Sequence, residues 1–461
     1  MQYTLTFPES LFERLTQHLF VDRTIERAAY LLAAVSVSDS ETRLLVRDVI
    51  LVSPDDIEQA TAHGLTINQQ SFRPVLKRAH LSNSCFLFVH SHPSHFVGHS
   101  DQDDREELDL FKTAYSRIHN PHLVHGSLVF SDPRLPVGRV WLANGEHLPI
   151  ERIRVVGNQF SFFDREQGTE LDLAAFDRQI RAFGADLQRL FGRLKIGIVG
   201  LGGTGSAVCE QLTRLGVGHL LLCDPQLFEE SNTNRVYGSS LRDDEEKKTE
   251  IASRNIAHIG LGTTAEILDG GSMDLKTALR LKECDIIFGC TDDEWGRAVL
   301  TKLSISYFIP VFDMGVEIES EEGEIKSVRG RVTTLLPNSP CLFCRGVITS
   351  EVMMAEILHR LNPKEYEERK KEGYIPGLPG QVPAVIMFTS MTASTAISEL
   401  LHRLTSYMGV DRKSTEVILR FDESKISTNS KIPLPGCWCG DYNSWGRGDE
   451  EPFLGLTWAE T

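Results

Sequence analysis

The sequence predicts an α/β protein of two domains: a mixed α/β domain first, then a doubly wound, mainly parallel sheet. Three observations carry that expectation. The chain has 461 residues, more than one ordinary hydrophobic core fills. From Leu171 onward, apolar strand-like runs alternate with helix-like ones, the pattern of parallel strands joined by crossover helices. Before that point strand-like and helix-like segments follow one another without regular alternation.

In the first domain, residues 9–20 have helical spacing, and residues 28–38 and 43–52 read as strands joined by the polar turn 38–40. Residues 85–90 form an apolar run consistent with a buried strand, 101–111 an acidic helix, and 122–130 and 140–142 further strands. We assign this domain to residues 1–152 and the polar stretch 153–170 to a linker. The second domain, 171–461, opens with a helical stretch at 173–190. A strand at 194–199 leads to a glycine turn, followed by a helix at 206–215 and strands at 220–223 and 285–290. The charged segment 364–374 reads as an exposed loop or helix, and the acidic tail after Gly440 as one that wraps the surface or frays.

Composition narrows the classes of function. At 41% hydrophobic and 24% charged the chain is typical of globular proteins, and a net charge of −16 argues against nucleic acid and anionic membrane as partners. The N-terminus lacks a basic region followed by an apolar run, so no secretory signal is expected. The most membrane-like stretch, 382–401, carries Glu399 among many hydroxyl residues and reads as a buried helix rather than a span. Nine cysteines without a signal suggest reduced thiols and a cytoplasmic protein, the clustered ones being available to a metal.

His90-Ser91-His92-Pro93, Ser100 and Asp103 are the informative residues of the first domain. Histidines at i and i+2 on a strand point to one face, so both imidazoles can reach one metal, and Asp103 can supply a third, anionic ligand. One tetrahedral position then stays open for water, the arrangement of a catalytic zinc. A carboxylate must still accept the water's proton, and Glu26 ahead of the first long strand is the candidate. The spacing H-x-H-x7-S-x2-D resembles the JAMM/MPN metalloproteases, which include deubiquitinating enzymes and bacterial peptidases that process ubiquitin-like (Ubl) proteins. That resemblance implies zinc ligands His90, His92 and Asp103, a general base Glu26, and a Ser100 that steadies the tetrahedral oxyanion. Glu26-Arg27-Ala28-Ala29 lacks the glycine that often follows the base in this family. His95 and His99 read as loop residues.

In the second domain Gly200-x-Gly202-Gly203-x-Gly205 forms a phosphate-facing turn, and Asp224 ends the next strand where a carboxylate can accept ribose hydroxyls. Alone these features equally suit an NAD-dependent oxidoreductase with a metal domain. Asn232, Asn234, Arg235, Lys248 and Cys290-Thr291-Asp292 favour ATP. Cations offset charge developing on the α-phosphate and the departing pyrophosphate, while a carboxylate holds magnesium.

Together the segment resembles the Rossmann-like ThiF/MoeB adenylation domains of ubiquitin-activating-type enzymes. The resemblance implies ATP binding at Gly200, Gly202, Gly203, Gly205, Asp224, Asn232, Arg235 and Lys248, with magnesium on Asp292. Asp177-Arg178-Gln179-Ile180 resembles the family's segment whose arginine reaches a partner subunit's ATP, which implies an Arg178 acting in trans and a homodimer. Gln226 stands where the family has a second Asp, and Val236 where it has Gln.

Cys341-x2-Cys344 with Cys437-x-Cys439 is a four-thiolate set suited to a structural zinc. No cysteine lies between Cys344 and Cys437, where thioester-forming relatives carry their nucleophile, and the hydroxyls of 389–395 read as helix packing. The expected function is therefore bifunctional. The zinc site would hydrolyse the bond after the Gly-Gly tail of a Ubl protein, and the other site would adenylate that tail, with a conjugating enzyme as a further partner. Sulfur-carrier activation for cofactor or cysteine biosynthesis, an NAD-dependent oxidoreductase with a metal domain, and a non-catalytic Ubl-binding scaffold are the alternatives.

Overall fold

The computed structural model describes residues 2–93, 96–165, 173–378, 383–456 and 458. It divides into two units: Met1–Gln167 with Ser306–Phe308 and Trp445–Phe453, and the remainder. In the first unit the elements run β1 (Gln2–Pro8), α1 (Glu9–Leu19), β2 (Ala28–Val37), β3 (Glu41–Leu51), β4 (Ile57–Ala60) and β5 (Leu65–Ile67). There follow α2 (Gln69–Leu81), β6 (Cys85–Ser91), α3 (Asp101–Arg117), β7 (His125–Phe130), β8 (Pro136–Trp141), β9 (His147–Val156) and β10 (Ser161–Asp164).

Strands in the order β1-β3-β2-β6-β7-β8-β9 form one sheet, and pairing of β1 with β9 closes it into a seven-stranded barrel, with β10 appended to β9. The central strand β2 is apolar on both faces and almost wholly buried, as it must be when core lies inside and helices cover the outside. Leu11, Leu15 and Leu19 recur at helical spacing on α1 and give it a single buried stripe.

The linker expectation needs correcting. Residues 153–156 belong to β9 and 161–164 to β10, so both close or extend the barrel. They read as polar because their charges are paired. Arg154 bonds Glu41 at 2.9 Å and Thr4 at 2.8 Å, and Arg152 pairs with Asp164 across the hairpin. The remaining linker residues, 166–170, lie outside the described residues. Within the polar tail, Asp449 donates its amide to the Val35 carbonyl at 3.0 Å and accepts the Val37 amide at 2.7 Å, so this part wraps onto the barrel.

The second unit begins with α4 (Asp177–Phe183) and α5 (Ala185–Phe191), not the single expected helix, because Gly184 at φ 89° breaks the run. It continues β11 (Lys195–Val199), α6 (Gly203–Arg214), β12 (His219–Cys223), α7 (Lys248–Ile259), β13 (Thr264–Leu268), α8 (Leu275–Leu281), β14 (Ile286–Gly289) and α9 (Glu294–Tyr307). Then come β15 (Val311–Glu321), β16 (Glu324–Leu335), α10 (Ser350–Leu361), α11 (Pro363–Lys371), α12 (Ile386–Thr405), β17 (Glu416–Arg420) and β18 (Lys425–Asn429).

The sheet order is β13-β12-β11-β14-β15-β16-β17-β18. The first five strands are parallel and the last three antiparallel, so the doubly wound half is extended by a meander. The chain winds one way from β11 to β13 and the other way from β14, which opens a crevice at the strand ends between β11 and β14. Among the described residues no helix is long and apolar enough to cross a membrane. The stretch that came nearest is α12, which buries Thr389, Thr392, Ala393, Ala396 and Leu400.

Candidate functional site

Two clefts collect the singled-out residues. In the first unit, His90 lies near the end of β6, His92 follows one residue past it, and Asp103 stands in the first turn of α3. The two Nε2 atoms are 3.0 Å apart, and Asp103 reaches them at 3.1 Å through Oδ1 and 3.5 Å through Oδ2. Around a tetrahedral zinc with bonds of about 2.0–2.1 Å, neighbouring ligand atoms sit about 3.3 Å apart. The donor set therefore fits zinc.

Local structure aims each donor. The Nδ1 of His92 faces the Phe96 carbonyl at 3.3 Å, which leaves Nε2 turned to His90 and Asp103. Asp103 and Ser100 form a capping box: Asp103 Oδ2 accepts the Ser100 amide at 2.6 Å and hydroxyl at 2.8 Å, and Ser100 Oγ caps the Asp103 amide at 3.2 Å. Ser100 borders the cleft, with its hydroxyl proton donated to Asp103.

Glu26 needs no following glycine to reach the site. The antiparallel register Ala28↔His90, continued outward, sets it beside His92, and its amide donates to the Thr61 carbonyl at 2.8 Å. One oxygen of Glu26 lies within 4.8 Å of the donor atoms of both histidines. Burial pushes its carboxyl up to about 7, suiting a group that must both take and return a proton. Asp103 is held well below the ordinary range: burial opposes this, but His90 and the Ser100 donors outweigh it. The cleft measures about 390 Å³ and is also bordered by His63, Leu65, Phe88, Phe96 and Glu106, none of which the sequence singled out.

His99 lies in the loop before α3, as expected, with its ring bonded to Ser127 Oγ at 3.0 Å and its pKa pushed down to about 2 by burial. His95 lies outside the described residues.

In the second unit, Gly200 takes φ 88°, and a Cβ there would meet the Cys290 carbonyl at 2.7 Å. Gly203 opens α6, pointing the helix N-terminus at the crevice. Asp224 ties the turn down, accepting the Leu201 amide at 2.6 Å and the Gln226 amide at 2.8 Å. Lys248 donates to Gln226 Oε1 at 2.7 Å, so the departure at 226 supplies a neutral partner that positions the lysine. Arg235 is steered by the Ser231 carbonyl at 2.6 Å.

Gly200, Gly202, Gly203, Asp224, Arg235, Lys248 and Asp292 all line one cleft of about 880 Å³. Gly205 and Asn232 do not. Gly205 is needed for packing, since a Cβ would sit 1.8 Å from the Gly200 carbonyl, and Asn232 is buried with its amide toward Ser231. Arg178 is exposed on α4 and does not border this cleft. Asp293, Arg297 and Arg331 also line this cleft, and the sequence singled out none of them.

The four sulfurs of Cys341, Cys344, Cys437 and Cys439 are separated by 3.4–3.7 Å along the contacting pairs. Thiolates on a tetrahedral zinc at about 2.3 Å would be about 3.8 Å apart, so this set also fits the ion. The Leu434 amide points at Cys344 Sγ at 3.3 Å, the kind of donor that supports a thiolate. Thr389, Thr392 and Thr395 spend their hydroxyls on carbonyls of α12 itself.

A glycine turn at the switch point, with cations and a carboxylate around it, defines an adenylation domain rather than a dehydrogenase. The chain belongs to the ThiF family, whose model matches residues 176–439. Molybdopterin-synthase adenylyltransferase of Escherichia coli K12 is 28% identical over 191 residues, covering 40% of this chain and 72% of that protein. Ubiquitin-like modifier-activating enzyme 5 of Oryza sativa is 28% identical over 171 residues, covering 33% of this chain and 39% of that protein. Among solved structures, E. coli MccB with ATP superposes at a TM-score of 0.44 with 16% identity, over 61% of this chain and 77% of that one.

Proposed function

We propose that this chain handles a small Ubl protein twice, adenylating its C-terminal carboxylate in the second unit and hydrolysing the bond after its tail in the first. The observation that carries the adenylation is the single cleft shared by Arg235, Lys248, Asp292 and the glycine turn in a ThiF-family domain. A carboxylate oxygen attacks the α-phosphorus of ATP, the bond to the β-phosphate oxygen breaks, and pyrophosphate leaves. Arg235 and Lys248 offset the charge that builds on the phosphates. Asp292 would hold magnesium, which when bound neutralises phosphate oxygens. One relative is named a molybdopterin-synthase adenylyltransferase and the other a ubiquitin-like modifier-activating enzyme, which supports a protein carboxylate as substrate. Arg178, exposed on α4, is available to a second copy's cleft, as a homodimer requires.

For the hydrolytic half the support is the convergence of His90, His92 and Asp103 with Glu26 beside them. These three would hold zinc, which when bound supplies the Lewis acidity that makes water nucleophilic near neutral pH. Glu26 accepts the water's proton and returns it to the leaving amine. Cys341, Cys344, Cys437 and Cys439 would hold a second, structural zinc. A tail ending in Gly-Gly suits both clefts, having no side chains to exclude. Sulfur-carrier activation is the second reading, favoured by the molybdopterin-synthase relative. A conjugating enzyme as acceptor belongs to the first.

The test incubates the full chain with Ubl proteins ending in Gly-Gly, ATP and magnesium, and follows pyrophosphate exchange. In parallel, the same proteins extended past the tail are offered to wild type and Glu26→Ala and read by mass. Exchange indifferent to every added protein ends the adenylation reading; extensions left intact by zinc-loaded wild type end the hydrolytic one.

A further inference from the structure

Arg297 on α9 and Arg331 on β16 both border the adenylation cleft, on elements that follow β14, whereas Arg235 and Lys248 come from the chain between β12 and β13. Between them lies Asp313 at the start of β15, whose side chain is 0% exposed. Arg331 Nη2 reaches Asp313 Oδ1 at 2.6 Å and Arg297 Nε lies 3.3 Å from Oδ2. The arginine side chains are 14% and 18% exposed, so two cations share one carboxylate in a largely dehydrated corner. Arg331 spends one further donor on Thr333 Oγ1 at 2.6 Å. Among the described residues, Arg297 Nε and Asp313 Oδ2 are buried with no hydrogen-bond partner, so the two face each other by charge alone. The floor beneath both guanidiniums is Gly315, where a Cβ would come within 3.3 Å of Arg297 Nη2 and 3.9 Å of Arg331 Nη2.

A buried excess of one positive charge, opened to a cleft and roofed over glycine, is matched by one more anion. Adenylation itself demands such a site. The attacking carboxylate and the α-phosphate repel each other, and the cations on the α6–α7 side are placed for the phosphates. We propose that Arg297 and Arg331, braced by Asp313, form a carboxylate subsite that receives the C-terminus of the acyl substrate on the opposite bank of the crevice from the triphosphate. This rests on the adenylation reading above. It assigns substrate anchoring to residues that bind neither ATP nor magnesium. Gly315 is then small because the chain's last residue must pass over it.

The test measures pyrophosphate exchange by the full chain with a Gly-Gly-terminated Ubl protein, comparing wild type, Arg331→Gln and Arg331→Lys. Glutamine keeps one donor for Asp313, so the buried carboxylate is not orphaned, and thermal midpoints check folding. Losing a charged fork on a carboxylate should raise KM for the Ubl protein about tenfold or more, with lysine in between and KM for ATP within about twofold of wild type. A rise in KM for ATP or pyrophosphate instead makes the pair a phosphate site and overturns the proposal. So does an unchanged pair of constants, or an equal rise in both. If wild type exchanges with no Ubl protein, the adenylation reading has failed first and takes this inference with it.

Discussion

The histidine cleft of the first unit and the glycine-turn cleft of the second are built on opposite plans. His90, His92, Ser100 and Asp103 come from the end of one strand and the start of the helix that follows it, and only Glu26 is brought from elsewhere. The glycine-turn cleft gathers Gly200, Asp224, Arg235, Lys248, Asp292 and Arg331 from strand ends, loops and helices across the whole second unit. A metal site needs three donors at bond length, which a short rigid segment can supply. A triphosphate and a carboxylate must be met along their full length, which only a sheet edge with its loops can do. Damage should differ accordingly: all-or-none in the first cleft, graded in the second.

The sharpest test of that contrast is His92→Ala. Removing one of three donors should abolish the proposed peptidase activity and weaken the proposed zinc binding by about two orders of magnitude or more, read by chelator competition, while pyrophosphate exchange stays within about twofold. Lys248→Ala is the counterpart. It should cut exchange by about 10²–10³ and leave zinc affinity alone, and a loss confined to folding, seen as a large drop in thermal midpoint, would argue that Lys248 is structural. A subtler case is Ser100→Ala. Loss of the cap should cost about 1 kcal/mol, measured by denaturant unfolding, and loosen Asp103 enough to weaken zinc binding about tenfold. If zinc binding holds while substrate turnover falls, Ser100 faces the substrate.

The smallest effect concerns the barrel alone. Glu41 is buried, which opposes its ionisation, yet Arg154 and Arg43 hold its carboxyl down at about 2. A carboxyl depressed on folding contributes stability at pH above its unfolded value and loses it as pH falls toward the folded one. Acid unfolding should therefore show a Glu41 contribution fading between about pH 4.5 and about pH 2, and Glu41→Gln should flatten that part of the profile.

Legibility followed the same divide. The donor spacing at 90–103, the glycine turn, Asp224 and the paired cysteines were readable because each is a local pattern whose geometry follows from strand or helix period. Residues 153–164 misled, since Arg152 and Arg154 look solvent-bound in sequence and are in fact paired within a barrel. Ser100 was read by resemblance as an oxyanion group, and the fold adds a capping box in which its hydroxyl donates to Asp103. Gln226, read as a departure, proved to be the partner of Lys248.

What the amino-acid order determined unaided is the chemistry on offer: which side chains can ligate, which turn can admit a phosphate, and where strands and helices alternate. These depend on neighbours a few residues apart. What only the tertiary structure decided is which distant groups share a dielectric environment. The register Ala28↔His90 delivers Glu26 to the histidines, the pairing of β1 with β9 closes the barrel, and Arg297 and Arg331 meet over Asp313. Burial and charge balance are properties of the assembled fold, because both depend on what folding places nearby rather than on what precedes a residue in the chain.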